Sequence, residues 1–333
     1  MNYCLPFIVC MLFTLGLSNC SSPKENNNRQ TAIDEVSKHK TDIVFNADSA
    51  YHFIEKQVAF GPRVPNSNAH IACGDYLTTQ LKQYGAEVTE QKMPLEAYDG
   101  TILNARNIIA SYNTEKTDRI LLFAHWDTRP YADNDPDSKN YHTPIDGAND
   151  GGSGVGVLLE IARLLQQHTP SKGIDIIFFD AEDYGAPDFS KERNKRDTWC
   201  LGAQYWSEHP HTPQYKAKFG ILLDMVGGAN ATFYKEQISM RFAPQIVDKV
   251  WSKARELGYG ASFVSTIGGT ITDDHLYLNL NTNIPCIDII DYNPIRPEGF
   301  PDTWHTLQDN IDNIHKETLQ IVGQTIVEVI YNS

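Results

Sequence analysis

The run from Ile174 to Asp180 is almost unbroken in its apolar character, and no other feature constrains the fold as strongly. A strand with one wet face alternates apolar and polar residues. A continuous apolar run of this length belongs in a parallel sheet covered on both faces. Arg119 to His125, Phe219 to Leu223 and Ile284 to Ile290 read the same way. Between and around them, 3.6-residue periodicity predicts helices over Asp48–Val58, Asn66–Tyr84, Ser153–Gln167, Trp199–Glu208, Ala243–Leu257 and Lys316–Tyr331. Asn66 or Ser67 can cap the second helix and Gly85 can end it. Glu87–Leu95 and Ile102–Ser111 read as an antiparallel pair. Strands alternating with helices, with no internal repeat and no second boundary, predict one α/β domain over residues 42–333. Its central sheet is mixed, mostly parallel and flanked by helices.

The N-terminus has a different character. Leu5 to Leu17 is an apolar run of signal-peptide length, too short to span a bilayer stably. It ends at Leu17-Ser18-Asn19-Cys20, which is similar to a bacterial lipobox with Cys20 as the lipidated residue, although no Lys or Arg precedes the run and Asn19 replaces the usual small residue. A simple cleaved signal is the second reading of residues 1–20, and a buried core helix the third. Residues 21–41 are polar, lack periodicity and read as a flexible tether. The expectation is an exported protein, held at a membrane only through a lipid on Cys20, or else periplasmic. Beyond the leader remain Cys73, Cys200 and Cys286, whose spacing matches no zinc site. Buried free thiols are the expected state.

The carboxyl ends of parallel strands are where such sheets bind ligands, and here they carry acids and histidines. Arg119–His125 runs into Trp126-Asp127, Ile174–Asp180 into Ala181-Glu182-Asp183, and Phe219–Leu223 into Asp224-Met225. A long loop rich in Asp, Asn and Gly brings Asp146-Gly147-Ala148-Asn149-Asp150-Gly151-Gly152 to the start of the helix at Ser153, and loops of that length are usually functional. Asp273-Asp274-His275 and Trp304-His305-Thr306 follow late in the chain. Singly, Asp150 could cap a helix and Asp183 could sit in a turn. Together, so many like charges on one rim require a cation. Histidine and carboxylate ligands without cysteine suit zinc in an open, catalytic arrangement. The formal net charge of -14 argues against a nucleic-acid partner.

The segments Ala124-His125-Trp126-Asp127, Gly147 to Gly154, Phe178 to Asp183 and Leu223 to Gly227 resemble the four central motifs of the bacterial zinc aminopeptidase family, which also contains the animal-type glutaminyl-peptide cyclotransferases. The resemblance runs from Phe45 onward. It implies one zinc per chain, held by Asp150, by Asp183 where most relatives have Glu, and by His305. It implies Glu182 as general acid/base. His125 and Asp224 would hold a second zinc in the two-metal aminopeptidases, whereas in the cyclotransferases their counterparts persist without it. The family often holds the peptide bond after the Asp150 counterpart cis, so a cis Asp150–Gly151 bond is expected.

Two stretches resemble cyclotransferases more than peptidases: Ile271 to His275, with Asp273 where the peptidases have Ser, and Phe300 to Thr306, with Trp304 before the ligand histidine. Trp304 as an ordinary core residue is the alternative. The implied reaction converts N-terminal glutamine of peptides or proteins to pyroglutamate with release of ammonia. A two-zinc aminopeptidase is the second reading, and a non-catalytic binding module the third. Glu182, Asp273 and Asp224 are then the catalytic candidates, with Trp304, Trp199 and Asp288 placed around the substrate. Asp273 would accept a hydrogen bond from the leaving nitrogen, and Trp304 would donate to the γ-carbonyl or wall the pocket. Asp288 stands where the animal enzymes have His. If Asp224, Asp273 and Asp288 converge, at least one carries a proton near neutrality. The protein is expected to be a monomer.

Overall fold

A computed structural model describes Met1 and residues 40–332 of the 333-residue chain. The leader, Cys20 and nearly all of the tether lie outside the described residues. Residues 41–332 form one unit. A sheet of six strands runs through it: β1 (Glu87–Glu96), β2 (Ile102–Tyr112), β3 (Arg119–His125), β4 (Gly173–Phe179), β5 (Phe219–Asp224) and β8 (Cys286–Ile290). Their spatial order is β1-β2-β4-β3-β5-β8. The β1–β2 and β2–β4 pairs are antiparallel, and the remaining neighbours are parallel. The sheet is therefore mixed, as expected.

Alternation along the central strands explains why their sequences read as continuously apolar. Ile120, Leu122, Ile174, Ile176, Ile221 and Ile287 enter one core. Their neighbours Leu121, Phe123, Ile177, Phe179, Leu222 and Cys286 enter a second core on the other face. The first core is closed by helices α1 (Ala47–Val58), α2 (Asn68–Gln83), α3 (Ser153–Gln167), α6 (Pro244–Glu256) and α8 (Lys316–Tyr331). The second is closed by α4 (Leu201–Glu208) and α7 (Asp274–Asn281). Strands with no wet face need apolar residues at every position. Asp175 is the exception inside β4, and it is fully neutralised. Arg119 Nε and Nη2 each donate to it at 2.6 Å, as do the hydroxyls of Ser111 and Tyr215 at the same distance.

Several boundaries differ from expectation for local reasons. Ser67, not Asn66, caps α2, accepting from His70 N–H at 3.1 Å. Asn66 has a positive φ of 75° and uses its side chain on the β2 backbone instead. The helix expected from Trp199 starts at Leu201, because Cys200 is left-handed at φ 58°. That turn frees Trp199 to face the catalytic rim. A parallel pair, β6 (Phe233–Lys235) with β7 (Phe263–Ile267), and the short helix α5 (Gln237–Phe242) were not legible in the periodicity. Cys73, Cys200 and Cys286 are buried free thiols, as expected.

Candidate active site

Asp150, Asp183 and His305 come from three separate segments and converge at the carboxyl ends of the parallel strands. One ligand atom from each lies within 4.8 Å of the other two. His305 Nε2 is 3.4 Å from Asp183 Oδ1 and 3.7 Å from Asp150 Oδ2. All three residues are at most 3 % exposed. The turn and cap readings of the two aspartates fail here. Gly152 is the N-cap position of α3 and makes no side-chain cap bond, while Asp150 turns into the site. Neither oxygen of Asp183 has a hydrogen-bond partner. A buried carboxylate left in that state is costly. This orphaned pair, beside a second carboxylate and an imidazole, fits a zinc ion with an open coordination position.

The backbone holding these ligands is itself clamped by carboxylates. Asp127, at the end of β3, accepts from the N–H groups of Glu182 at 3.0 Å and Asp183 at 3.1 Å. Asp309 accepts from Asn149 N–H at 2.7 Å and Asp150 N–H at 3.0 Å. The Asp150–Gly151 peptide is trans, against the expectation of a cis bond. The chain turns at Gly151, whose φ is +85°, and the Asp309 clamp orients the preceding amides, so the ligand is presented without a cis bond. Asp133 lies 3.2 Å from His305 Nδ1 and is gripped by Arg129 Nε at 2.7 Å and Nη2 at 2.5 Å. A carboxylate on the far nitrogen fixes the imidazole so that Nε2 faces the metal position. Sequence reasoning assigned no role to Asp127, Asp133, Arg129 or Asp309. Asp127 stood inside a quoted motif and Asp309 three residues beyond one, but nothing local marks Asp133 or Arg129.

His125 and Asp224 form a second cluster that shares Asp150. His125 Nε2 lies 2.9 Å from Asp150 Oδ1 and 3.2 Å from Asp224 Oδ1. Burial pushes the imidazole towards neutrality, but Asp127, Asp150 and Asp224 together hold it well above the usual histidine range. Its Nε2 faces both carboxylates, and the three residues together form a second group able to hold a cation.

Glu182 stands between the two clusters and the cavity. Burial raises its carboxyl well above the usual range, against the opposing charge of His125, and Asp273 and Asp183 push it further. Cys200 Sγ donates to its Oε1 at 3.1 Å. Asp273 and Asp288 are also held well above the carboxylate range. For both, burial comes first and the charge of neighbouring aspartates, Asp224 among them, adds to it. Asp273 and Asp288 lie close together, with one oxygen of each within 4.8 Å, and burial together with neighbouring negative charge disfavours the ionised form of both. Asp288 differs from its expected place, however. It is fully buried, behind Asp273, with His275 Nδ1 at 3.9 Å, and does not line the cavity. Its carboxylate sits one layer behind the cavity wall, with one oxygen within 4.8 Å of Asp273 and His275.

The cavity at this rim measures about 350 Å³. The three ligands, Glu182, Asp224 and Asp273 line its buried end, and Trp199 and Trp304 form its walls. The two indoles stack on the His305 ring with centroids at 5.9 Å and 3.9 Å. Trp304 is therefore a wall of the site rather than an ordinary core residue.

Such a sheet, with a histidine–carboxylate metal site and an aromatic-walled cavity at its strand ends, defines the zinc-dependent exopeptidase type of α/β protein. The family model of peptidase family M28 matches residues 107–330, and the chain belongs to that family. It is 60 % identical to a zinc-dependent exopeptidase from Parabacteroides distasonis, with a TM-score of 0.87, covering 88 % of this chain and 100 % of the other. It is also 60 % identical to the glutaminyl cyclase of Bacteroides thetaiotaomicron, solved with N-acetylhistamine, with a TM-score of 0.85 and coverage of 87 % and 99 %. Among curated proteins, it is 27 % identical over 260 residues to aminopeptidase YwaD of Bacillus subtilis. That match takes in 76 % of this chain but only 50 % of YwaD, so the chain spans about half the length of that relative.

Proposed function

We propose that this protein is a zinc-dependent glutaminyl-peptide cyclotransferase. It would close N-terminal glutamine to pyroglutamate and release ammonia. Its similarity to glutaminyl cyclases over nearly the whole described domain supports this reading. The observation that carries it over the aminopeptidase alternative is the lining of the cavity: Asp273 at its buried end and Trp304 stacked on His305 at 3.9 Å, the two residues by which the chain resembles the cyclotransferases. Closing glutamine on its own α-amine needs only one Lewis-acidic cation. One zinc per chain, held by Asp150, Asp183 and His305, is the resulting stoichiometry.

The chemistry suits a single cation. The substrate's own α-amine is the nucleophile and its γ-amide the electrophile, so proximity is built in and no water need be activated. When bound, zinc supplies Lewis acidity to the γ-carbonyl. The chain's residues do the remainder. The α-amine has a reference pKa of about 7.7 to 8.0 and arrives mostly protonated. The amine sheds that first proton to solvent before it attacks; as the new C–N bond forms, Glu182 takes a second proton from the same nitrogen and delivers it to the γ-amide nitrogen, whose bond to carbon breaks to release ammonia. A carboxyl raised by burial is suited to both transfers. Asp273 accepts a hydrogen bond from the γ-amide nitrogen when ionised, or donates to the reacting groups when protonated. Trp199 and Trp304 wall the cavity and exclude the water that would divert the reaction towards hydrolysis. Export with a lipid at Cys20 and a monomeric state remain parts of this proposal.

Incubation with a glutamine-initiated peptide should release stoichiometric ammonia and leave a blocked N-terminus. Stepwise release of free amino acids would establish the peptidase instead.

A further inference from the structure

The outer part of the cavity bears on which peptides enter it, and this inference rests on the cyclotransferase reading. Rings lead outward from the metal position in a ladder. Trp304 stacks on His305 at 3.9 Å, Phe300 on Trp304 at 4.4 Å, and Tyr292 against Phe300 at 5.4 Å. At the outer end of this ladder stands Glu298, an exposed residue that lines the cavity mouth. Its place is fixed by the next residue. Gly299 has a φ of +80°, and a Cβ there would lie 2.1 Å from Tyr292 Cε2, so the backbone beside Glu298 is pressed against the ring.

The charge of Glu298 is uncompensated. Its carboxylate has no hydrogen bond or ion pair among the described residues. The one arginine of its own loop, Arg296, is held by Asp291 at 3.0 Å. No lysine or arginine lines the cavity among the described residues. The acids at the buried end face the metal position and the His125 ring, while Glu298 faces only solvent or substrate. With the glutamine side chain at the buried end, the following residues of the peptide must leave past Tyr292 and Glu298.

We propose that Glu298 is a specificity-determining residue that selects glutaminyl peptides carrying a basic residue immediately after the glutamine and disfavours those carrying an acidic one. An exposed charge changes affinity by about fivefold at most for each partner, and salt weakens it. Attraction of Lys and repulsion of Glu together therefore give a ratio of roughly five- to twentyfold in kcat/KM.

The test compares Gln-Lys, Gln-Ala and Gln-Glu peptides, otherwise identical, at low and high salt. The wild-type protein should rank them in that order, with the spread shrinking at high salt. Glu298→Gln should reduce the Lys-to-Glu ratio to under about twofold, and Glu298→Lys should reverse it. Cyclisation of all three at equal efficiency, or a ratio unchanged in Glu298→Gln, would overturn this inference and leave the cyclotransferase reading standing. Failure to cyclise any of the three would overturn the parent reading and this inference with it.

Discussion

The molecule holds two clusters built from the same parts, each an imidazole with two aspartates, and they share Asp150. Around His305 the donors are separated: both Asp183 oxygens lack partners, and the nearest approach to His305 Nε2 is 3.4 Å. Around His125 the donors meet directly, at 2.9 Å and 3.2 Å from the same nitrogen. The first cluster lines the cavity, whereas His125 does not. Residue type does not distinguish the two. What differs is where the second nitrogen of each ring finds its partner. Asp133, locked by Arg129, holds His305 Nδ1 and leaves Nε2 for a metal. His125 Nδ1 has no hydrogen-bond partner, with Asp127 Oδ1 at 3.7 Å, and Nε2 is spent on Asp150 and Asp224.

Substitutions that separate the clusters should rank by how directly they touch the first. His305→Ala should abolish both zinc retention and turnover, and zinc content after dialysis reads the first. A variant that keeps its zinc would break the comparison. Glu182→Gln should lower kcat by about 10²- to 10⁴-fold while zinc content stays at the wild-type level, since Glu182 is not a ligand of either cluster. Asp133→Asn should weaken zinc by about 10- to 100-fold through loss of imidazole orientation, measured by chelator competition. Equal affinity in that variant would remove the explanation of why His305 rather than His125 takes the metal.

The smallest effect concerns pH. Burial, and then the charge of Asp150, push the Asp183 carboxyl of the metal-free protein up to about 6, while His305 and Arg129 oppose the shift. A ligand carboxylate must be deprotonated to bind. Because the raised value favours the protonated form, zinc affinity should fall as pH drops through about 6 and change little through this group above it. Competition titrations on either side of that value test the direction. Affinity that stays flat there would contradict it.

The strand ends and both clusters were legible because their chemistry is local. A buried run stops, and acids or a histidine follow at once, as at Phe179-Asp180-Ala181-Glu182-Asp183 and Leu223-Asp224. The supports were not legible. Asp127 reaches backbone amides 55 and 56 residues away, and Asp309 reaches amides 159 and 160 away, so neither leaves a periodic trace. Asp133 and Arg129 lie in a loop crowded with acids, where only the fold selects the one that meets His305. The fully buried position of Asp288 could not be read because its strand is apolar on both faces, which conceals the direction of each side chain. The bond after Asp150, expected to be cis, is trans, and the chain turns at Gly151, whose φ is +85°.

The central claim is that one metal position, formed by Asp150, Asp183 and His305, serves catalysis and that no second metal is needed. Metal-free protein titrated with zinc, with ammonia release from a glutamine-initiated peptide followed throughout, tests it most directly. Activity should rise linearly to one equivalent per chain and then stay level. A rise that continues to a second equivalent, with free amino acids appearing in place of ammonia, would contradict it.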